Sequence, residues 1–274
     1  GFDGADSANW YGTKAVTNTN RDSKEKVLIS PSSVEKFEEC ELKWFLESNG
    51  GQNGSTTALL LGNVIHKFAE LAETEPKPVE EQLEMLRRNW ELVNPEKGWM
   101  SKTESGRAIL MLKRFFQYRE GVKDRIFHAA EARFEIDLGI AKVRGSIDRV
   151  EIDANGDFYL IDFKTGTNHL TAAEGQSNAQ MQLYQLAISD GDFGDRNIDG
   201  RSSGAALLYL QSTNKEPKLV IQDPIDPEVV RERVRAVAVK MGGSTYLAKV
   251  NKNCERCVVR FSCPLMVEGG GLFD

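Results

Sequence analysis

Apolar residues in the first part of the chain recur with the period of an amphipathic helix. Val34, Phe37 and Leu42 follow Ser32, which opens the Ser-x-x-Glu pattern typical of a capped helix start. The pattern therefore predicts one helix from this point to about Glu47. The same period predicts further helices over about residues 57–73, 79–93 and 103–120.

Alternation of apolar and polar residues replaces the helical period after about residue 125. Residues 132–137 predict one strand, and Gly145–Gly166 predict a hairpin whose turn contains Asn155-Gly156, a strong tight-turn signal. The second hairpin strand, around 158–164, is apolar on both faces, which places it in the middle of a sheet. Further predicted elements are a helix over 176–189, strands over 204–211 and 218–221, and a helix over 227–241.

These elements predict an α/β fold with a mixed central sheet flanked by helices, an N-terminal helical region and a C-terminal cysteine cluster. The predicted organisation is one domain preceded by a linker and followed by a flexible tail. The linker covers residues 1–28, the domain 29–266 and the tail 267–274. Within the domain we expect a helical insert at about 75–122, a catalytic core at about 125–222 and a cysteine segment at 249–266.

Charge and composition narrow the possible functions. The 274 residues include 35 basic and 41 acidic side chains, a net charge of −6, which disfavours a protein that coats nucleic acid with basic charge. A nuclease remains compatible, because metal-binding carboxylates add negative charge. No signal-peptide pattern and no apolar run of roughly 18–20 residues are visible. The chain begins Gly1-Phe2-Asp3 without Met, so we interpret it as a fragment of a longer protein.

The predicted hairpin contains two carboxylates and a lysine that need a chemical explanation. Asp148 lies on its first strand, and Asp162 and Lys164 share one face of the second. Two carboxylates can hold Mg²⁺ or Mn²⁺, and a lysine can orient a water or offset charge on a phosphate. The alternative is an ion-paired surface hairpin, because Asp-x-Lys is common on its own.

Two helical motifs flank this hairpin in sequence. His66 follows Gly62 by one turn among apolar neighbours, so it is either a metal ligand or a satisfied core histidine. Gln180 and Tyr184 share one face of the helix after the hairpin, where they could support the lysine, the water or a base. The alternative for this second pair is a polar stripe on an amphipathic helix.

The four cysteines are grouped as one plus three. Cys254, Cys257 and Cys263 have close ligand-like spacing, and Cys40 lies far upstream. Four thiolates suit either Zn²⁺ or a 4Fe–4S cluster. Zinc usually takes its ligands as two close pairs, so the one-plus-three grouping favours a cluster, and either centre would join the two ends of the chain. Disulfides or free thiols are the remaining alternative.

Seven motifs in this order resemble the RecB-type nuclease modules of the PD-(D/E)xK superfamily that contain an iron–sulfur centre, as in AddB-type and CRISPR-associated adaptation nucleases. The resemblance covers about residues 29–266 and is greatest to the C-terminal nuclease module of actinobacterial AdnAB-type helicase–nucleases. The motifs are Ser30-Pro31-Ser32, Cys40 with Trp44-Phe45, Gly62-x-x-x-His66, Gly145-Ser146-Ile147-Asp148-Arg149, Ile161-Asp162-Phe163-Lys164-Thr165-Gly166, Gln180-x-x-x-Tyr184, and Cys254, Cys257 and Cys263-Pro264. Ile147 and Glu41 replace residues that are often Pro in such relatives.

The resemblance implies a restriction-endonuclease-like core that cleaves single-stranded DNA, by exonuclease action, with Mg²⁺ or Mn²⁺. It implies that His66, Asp148, Asp162 and the Phe163 carbonyl are metal ligands, and that Lys164 is catalytic, supported by Gln180 and Tyr184. It also implies a 4Fe–4S cluster, with zinc as the lesser alternative, whose ligands are Cys40, Cys254, Cys257 and Cys263. The implied partners are DNA ends, a helicase motor on the same polypeptide and a second helicase–nuclease subunit, in the cytoplasm at the nucleoid. No Walker phosphate loop is present in this sequence, so such a motor would lie outside it. The alternative is a catalytically silent scaffold domain of such a complex.

Overall fold

The computed structural model describes residues 26–50, 57–93, 99–212 and 216–266. Of the predicted linker over 1–28, residues 1–25 lie outside the described residues, whereas residues 27 and 28 belong to a strand. The glycine-rich stretch over 51–56 and the predicted tail over 267–274 also lie outside the described residues. The described elements are β1 (Val27–Ile29), α1 (Pro31–Glu39), α2 (Glu41–Ser48), α3 (Thr57–Thr74), α4 (Val79–Val93), α5 (Trp99–Gly121), β2 (Arg125–Asp137), β3 (Ala141–Asp153), β4 (Phe158–Lys164), α6 (Ala172–Gln176), α7 (Ala179–Asp190), β5 (Ser202–Tyr209), β6 (Lys218–Gln222) and α8 (Pro227–Met241).

The described strands form one mixed sheet, as the sequence predicted. Along its main path the order is β1-β3-β4-β5-β6, and β2 pairs with β3 along its length. β3 is antiparallel to both β2 and β4, whereas β4 and β5 are parallel. The parallel step follows from the chain crossing over through α6 and α7 between β4 and β5. β4 is therefore an interior strand with neighbours on both sides.

Helices cover both faces of the sheet, and β4 contributes to two separate hydrophobic cores. Phe158 and Leu160 pack with residues of α1, α7 and α8 on one face. Tyr159, Ile161 and Phe163 pack with α3, α4 and α5 on the other. This confirms the sequence-based prediction that β4 is apolar on both faces and central. It also places the polar end of the strand, from Asp162 onwards, between two helical layers.

The predicted single helix to Glu47 is wrong, because the structure contains two helices separated by Cys40. α1 begins at Pro31, with Ser30 rather than Ser32 at its N-cap, and the backbone amide of Ser30 donates to Ser33 Oγ. Cys40 has extended backbone angles, φ −163° and ψ 110°, which end α1 and precede α2. Apolar periodicity continues across this break, so the local pattern did not reveal it. The predicted helix over 176–189 corresponds to α7, which begins three residues later, and a short helix, α6, precedes it.

The C-terminal segment returns to the α1–α2 junction. The amide of Leu42 donates to the carbonyl of Leu247, and the Leu247 amide donates to Glu41 Oε2. Asn251 Nδ2 donates to the carbonyl of Glu39, which lies beside Cys40. Both ends of the described chain therefore meet at the residue that separates α1 from α2. Among the described residues, no helix combines the length and apolarity that crossing a membrane requires.

Candidate active site

Asp148 is the central carboxylate of a polar cluster at one end of β4. It lies on β3 with 8% of its surface exposed, one residue beyond the paired Arg149 and Ile161, and so beside Asp162. Its Oδ2 accepts a hydrogen bond of 2.6 Å from the backbone amide of Phe163. Its Oδ1 lies 3.2 Å from Nδ1 of His66 on α3. The sheet thus fixes Oδ2 of Asp148 and leaves Oδ1 facing α3.

Asp162 and Lys164 are joined by residues from α7 on the other face of the sheet. Lys164 Nζ lies 2.8 Å from Asp162 Oδ2 and donates to Gln180 Oε1 at 2.7 Å. Gln180 Nε2 donates to Asp162 Oδ1 at 2.7 Å, and Tyr184 OH donates to the same oxygen at 3.0 Å. Asn178 caps α7 by accepting a hydrogen bond from Met181 N, which fixes where the helix begins. The helical spacing of Gln180 and Tyr184 then directs both onto Asp162.

The close approach of α3 to the end of β4 depends on Gly62. A Cβ atom at this position would lie 3.2 Å from Oγ1 of Thr165, immediately after Lys164. The space that Gly62 leaves is therefore taken by Thr165 of the strand end. The ring of His66 packs edge-on against Phe163, with ring centroids 5.8 Å apart. Gly62 allows the backbone approach, and Phe163 orients the imidazole.

Burial and mutual charge shift the protonation of this cluster. Burial, followed by the charge of Asp162, raises the pKa of Asp148 to about 6, although contact with His66 opposes the shift. Burial disfavours protonated His66, but the hydrogen bond and charge of Asp148, with Asp162 and Glu131, raise its pKa to about 9. Burial likewise opposes the charge on Lys164, yet Asp162 raises the pKa of the lysine above its ordinary value. The negative charge of the two carboxylates thus favours the protonated forms of His66 and Lys164 when no metal cation offsets it.

Glu131 is a site residue that the sequence analysis missed. A carboxylate oxygen of Glu131, a ring nitrogen of His66 and an oxygen of Asp148 all lie within 4.8 Å of one another. Glu131 lies on β2 with φ 45°, and Ser146 Oγ donates to its Oε2 at 2.9 Å. Its sequence position carries no motif. Only the strand register, which pairs Ala130 with Arg149, identifies it as a neighbour of Asp148.

The donor atoms of this cluster suit a hard divalent cation. Carboxylate oxygens are preferred by Mg²⁺ and Mn²⁺, and imidazole is acceptable to Mn²⁺. The buried Oδ2 of Asp162 accepts no hydrogen bond among the described residues, although Lys164 Nζ lies 2.8 Å away. A cation between the carboxylates would satisfy this oxygen and the charge of Asp148. The backbone amide of Phe163 donates to Asp148 in the structure. The role of the Phe163 carbonyl as a metal ligand stays a prediction.

The four cysteines line one pocket between the α1–α2 junction and the C-terminal segment. Cys40, Cys254, Cys257 and Cys263 are all free thiols there. Tetrahedral zinc would bring four sulfurs to about 3.8 Å from one another, given a Zn–S distance of about 2.3 Å. In the part of the chain that the structure describes, three cysteine sulfurs do not lie within 4.8 Å of one another. The four thiols thus share one pocket, and the identity of a group bound there stays a prediction.

Comparison with known proteins finds one family and several solved structures, two of which are described below. A family model described as the PD-(D/E)XK nuclease superfamily matches residues 28–264. No curated protein matches the sequence significantly. The crystal structure of SSO0001 is 16% identical, with 89% of each chain covered and a TM-score of 0.42. The crystal structure of VC1899 from Vibrio cholerae is 14% identical, covers 80% of this chain and 59% of its own, and has a TM-score of 0.25.

Proposed function

The chain belongs to the PD-(D/E)XK nuclease superfamily, and on that premise we propose that this metal-dependent nuclease hydrolyses DNA and prefers single strands as an exonuclease. The observation that carries the proposal is the meeting of Asp148, Asp162 and Lys164 at one end of β4. Two adjacent buried carboxylates and a protonated lysine form a site for a cation and a phosphate.

Each residue of the cluster has a role that follows from its contacts. A bound Mg²⁺ or Mn²⁺ supplies charge neutralisation and a more acidic water. Asp148, Asp162 and His66 would hold that ion, with the Phe163 carbonyl as a further ligand. Lys164 keeps its proton and offsets negative charge that develops on the phosphate. Gln180, which bonds both Lys164 and Asp162, fixes the distance between them.

Tyr184 supports this arrangement as a neutral donor. Burial, with the charges of Asp162 and Asp148, raises its pKa well above the ordinary value, so its hydroxyl stays protonated. The hydroxyl donates to Asp162 Oδ1 and accepts from Gln180 Nε2 at 2.7 Å. A neutral donor at this position keeps one oxygen of Asp162 oriented. The second oxygen stays directed towards Lys164 and the cation site.

A digestion assay tests the proposed reaction directly. Linear single-stranded, linear double-stranded and circular DNA are incubated with Mn²⁺ and with EDTA. We expect cleavage of linear single strands that EDTA abolishes, and an Asp162→Ala variant that loses at least about 100-fold in rate. Asp195→Asn, an exposed carboxylate elsewhere, is the matched control and should retain the activity. Undiminished cleavage by Asp162→Ala would refute the assignment, and equal cleavage of circles would refute the exonuclease action.

For the cysteines we propose a 4Fe–4S cluster bound by Cys40, Cys254, Cys257 and Cys263. Four free cysteines that line one pocket, in a one-plus-three grouping along the sequence, support this proposal. Its role is structural, because the cysteines join the two ends of the described chain. Protein purified without oxygen should show an absorbance band near roughly 400 nm and bound iron. Stoichiometric zinc without that band would contradict the proposal.

The proposed context is the nuclease module of a recombination-repair helicase–nuclease that processes double-strand breaks. The motif order from Ser30 to Pro264 supports this context, with a motor on the same polypeptide and a second helicase–nuclease subunit as partners, acting in the cytoplasm at the nucleoid. The alternative is a catalytically silent scaffold domain joined by the cluster. A protein that binds single-stranded DNA, contains the cluster and shows no metal-dependent cleavage would favour that alternative.

A further inference from the structure

Glu131 approaches the proposed metal site from a strand to which no motif assigns a ligand. Its carboxylate, the imidazole of His66 and the carboxylate of Asp148 come from β2, α3 and β3, and their ligand atoms lie within 4.8 Å of one another. Oxygen ligands lie about 2.1 Å from Mg²⁺, so two ligands on opposite sides of one ion are about 4.2 Å apart. The three groups therefore span the dimension of a single coordination sphere.

The strand register places Glu131 directly opposite Asp148. Ala130 pairs with Arg149 and Ala132 pairs with Ile147, so the intervening residues face each other across β2 and β3. Like charges directly opposite each other destabilise a sheet. Ser146 Oγ donates to Oε2 of Glu131, which satisfies part of one carboxylate without neutralising either. This pair of carboxylates would be neutralised by a cation held between them.

Asp162 provides an observation that is independent of Glu131. It lies on the other side of Asp148, is 4% exposed, and has a buried Oδ2 that accepts no hydrogen bond among the described residues. Lys164 Nζ, 2.8 Å from this oxygen, is shared with Gln180. Asp162 Oδ2 therefore shares its ammonium partner with Gln180 and remains available to a cation beside Asp148.

We propose that Glu131 is a further ligand of the divalent cation, together with His66 and Asp148. This inference rests on the proposed function, because it assigns a residue to the metal site of that reaction. Glu131 would bind the ion from the His66 side, and Asp148 would be shared between this side and Asp162. The competing role for Glu131 is a purely structural contact with Ser146.

Titration of the metal alone, without DNA, tests the assignment. Mn²⁺ binding to the full chain is measured by calorimetry for the wild type, Glu131→Gln and Ser146→Ala. We expect Glu131→Gln to weaken Mn²⁺ binding by about 10–100-fold, a typical loss when a group supporting a metal is removed. Glu135→Gln is the matched control, because Glu135 lies on the same strand but pairs with Lys142 and Arg144. It should bind Mn²⁺ within about twofold of the wild type.

Thermal unfolding in EDTA separates ligation from a structural role. If Glu131 is a ligand, the metal-free Glu131→Gln variant should be at least as stable as the wild type, because it removes a charge opposite Asp148. Unchanged Mn²⁺ affinity in Glu131→Gln would overturn the inference, as would an equal loss of affinity in Ser146→Ala. Glu131→Asp, which keeps the charge and shortens the side chain, should give an intermediate affinity and provides a second test.

The outcome for this inference is distinguishable from that for the proposed function. If the wild type binds Mn²⁺ and cleaves DNA while Glu131→Gln binds Mn²⁺ equally well, only the assignment of Glu131 fails. If the wild type neither binds Mn²⁺ nor cleaves DNA, both fail. Asp148→Asn is the reference variant for loss of the site, because Asp148 belongs to both sets of ligands.

Discussion

His66 Nδ1 and Asp148 Oδ1 lie 3.2 Å apart, which links a helix that precedes the sheet with the carboxylate at its centre. In sequence, His66 precedes the helical insert and Asp148 follows it, and the two side chains meet at one end of β4. Each favours the charged form of the other, and His66 must release its proton before its ring nitrogen can bind a cation. This contact therefore sets the pH response of the whole site.

The first prediction concerns opposite pH trends in stability and metal affinity. The pKa of His66 is about 9, above its ordinary 6.5, and the pKa of Asp148 is about 6, so their ion pair stabilises the metal-free fold near pH 6.5 to 7. That contribution is lost as pH rises through about 9. A divalent cation cannot bind the protonated ring and is repelled by its charge, so metal affinity should increase as His66 loses its proton over the same interval. Urea unfolding in EDTA and Mg²⁺ titration from pH 6.5 to 9 measure the two trends.

The control for that prediction is another histidine. His66→Asn should remove both trends, whereas His128→Asn should keep them, because His128 Nε2 contacts the backbone carbonyl of Arg196 instead. A metal affinity that is independent of pH in the wild type would contradict the predicted role of His66.

A second prediction concerns Gln180 as a positioning residue. Gln180→Ala removes the link between Lys164 and Asp162, so we expect kcat for DNA cleavage to fall by about 10–100-fold while KM changes little. Gln182→Ala is the control, because Gln182 lies on the same helix and accepts a hydrogen bond from Arg233. A change in KM alone would assign Gln180 to DNA binding instead.

A third prediction concerns the fully buried carboxylate of Glu151 behind the site. It accepts hydrogen bonds from Tyr118 OH, Arg125 Nε at 2.9 Å and Arg149 Nε at 2.6 Å. Glu151→Ala leaves two arginines without this partner, so the free energy of unfolding should fall by about 3–5 kcal/mol. Glu135→Ala also removes a carboxylate with two basic partners, but from the surface, where solvent screens the charges, so the loss should be much smaller. Equal losses in denaturant unfolding would contradict the prediction.

A fourth prediction compares two glycine-to-alanine substitutions of opposite sign. Gly204 has φ 128°, and a Cβ there would lie 2.8 Å from the carbonyl oxygen of Gln222, so Gly204→Ala should destabilise by at least about 1–3 kcal/mol. Gly106 lies inside α5 with open space around it, so Gly106→Ala should stabilise by about 1 kcal/mol. Denaturant midpoints of the two variants should move in opposite directions.

Local pattern was sufficient to predict the strand that carries the chemistry. The alternation of Phe158 and Leu160 with Tyr159 and Ile161 has the period of a strand, and both sets are buried as the pattern requires. The bounds of α8, Pro227–Met241, also match their prediction because Asp226 and Pro227 mark its start and Gly242 its end. Where short-range signals agree, the sequence alone is sufficient.

Two features depended on contacts that no local pattern contains. The break at Cys40 lies within continuous apolar periodicity and is stabilised by residues near Leu247 and Asn251, far along the chain. Glu131 becomes a neighbour of Asp148 through the register of β2 on β3, and a shift of one residue would move it to the other face. The fold class was therefore predictable, whereas this part of the candidate site was not.

The hydrogen bond from Leu42 to Leu247 also constrains the order in which the protein can fold during synthesis. The N-terminal helices α1 and α2 leave the ribosome early, but the segment that docks on their junction is among the last of the described residues to be made. Contacts between residues so distant in sequence form late and slowly. The junction at Cys40 thus stays open to solvent until the segment around Leu247 has been translated.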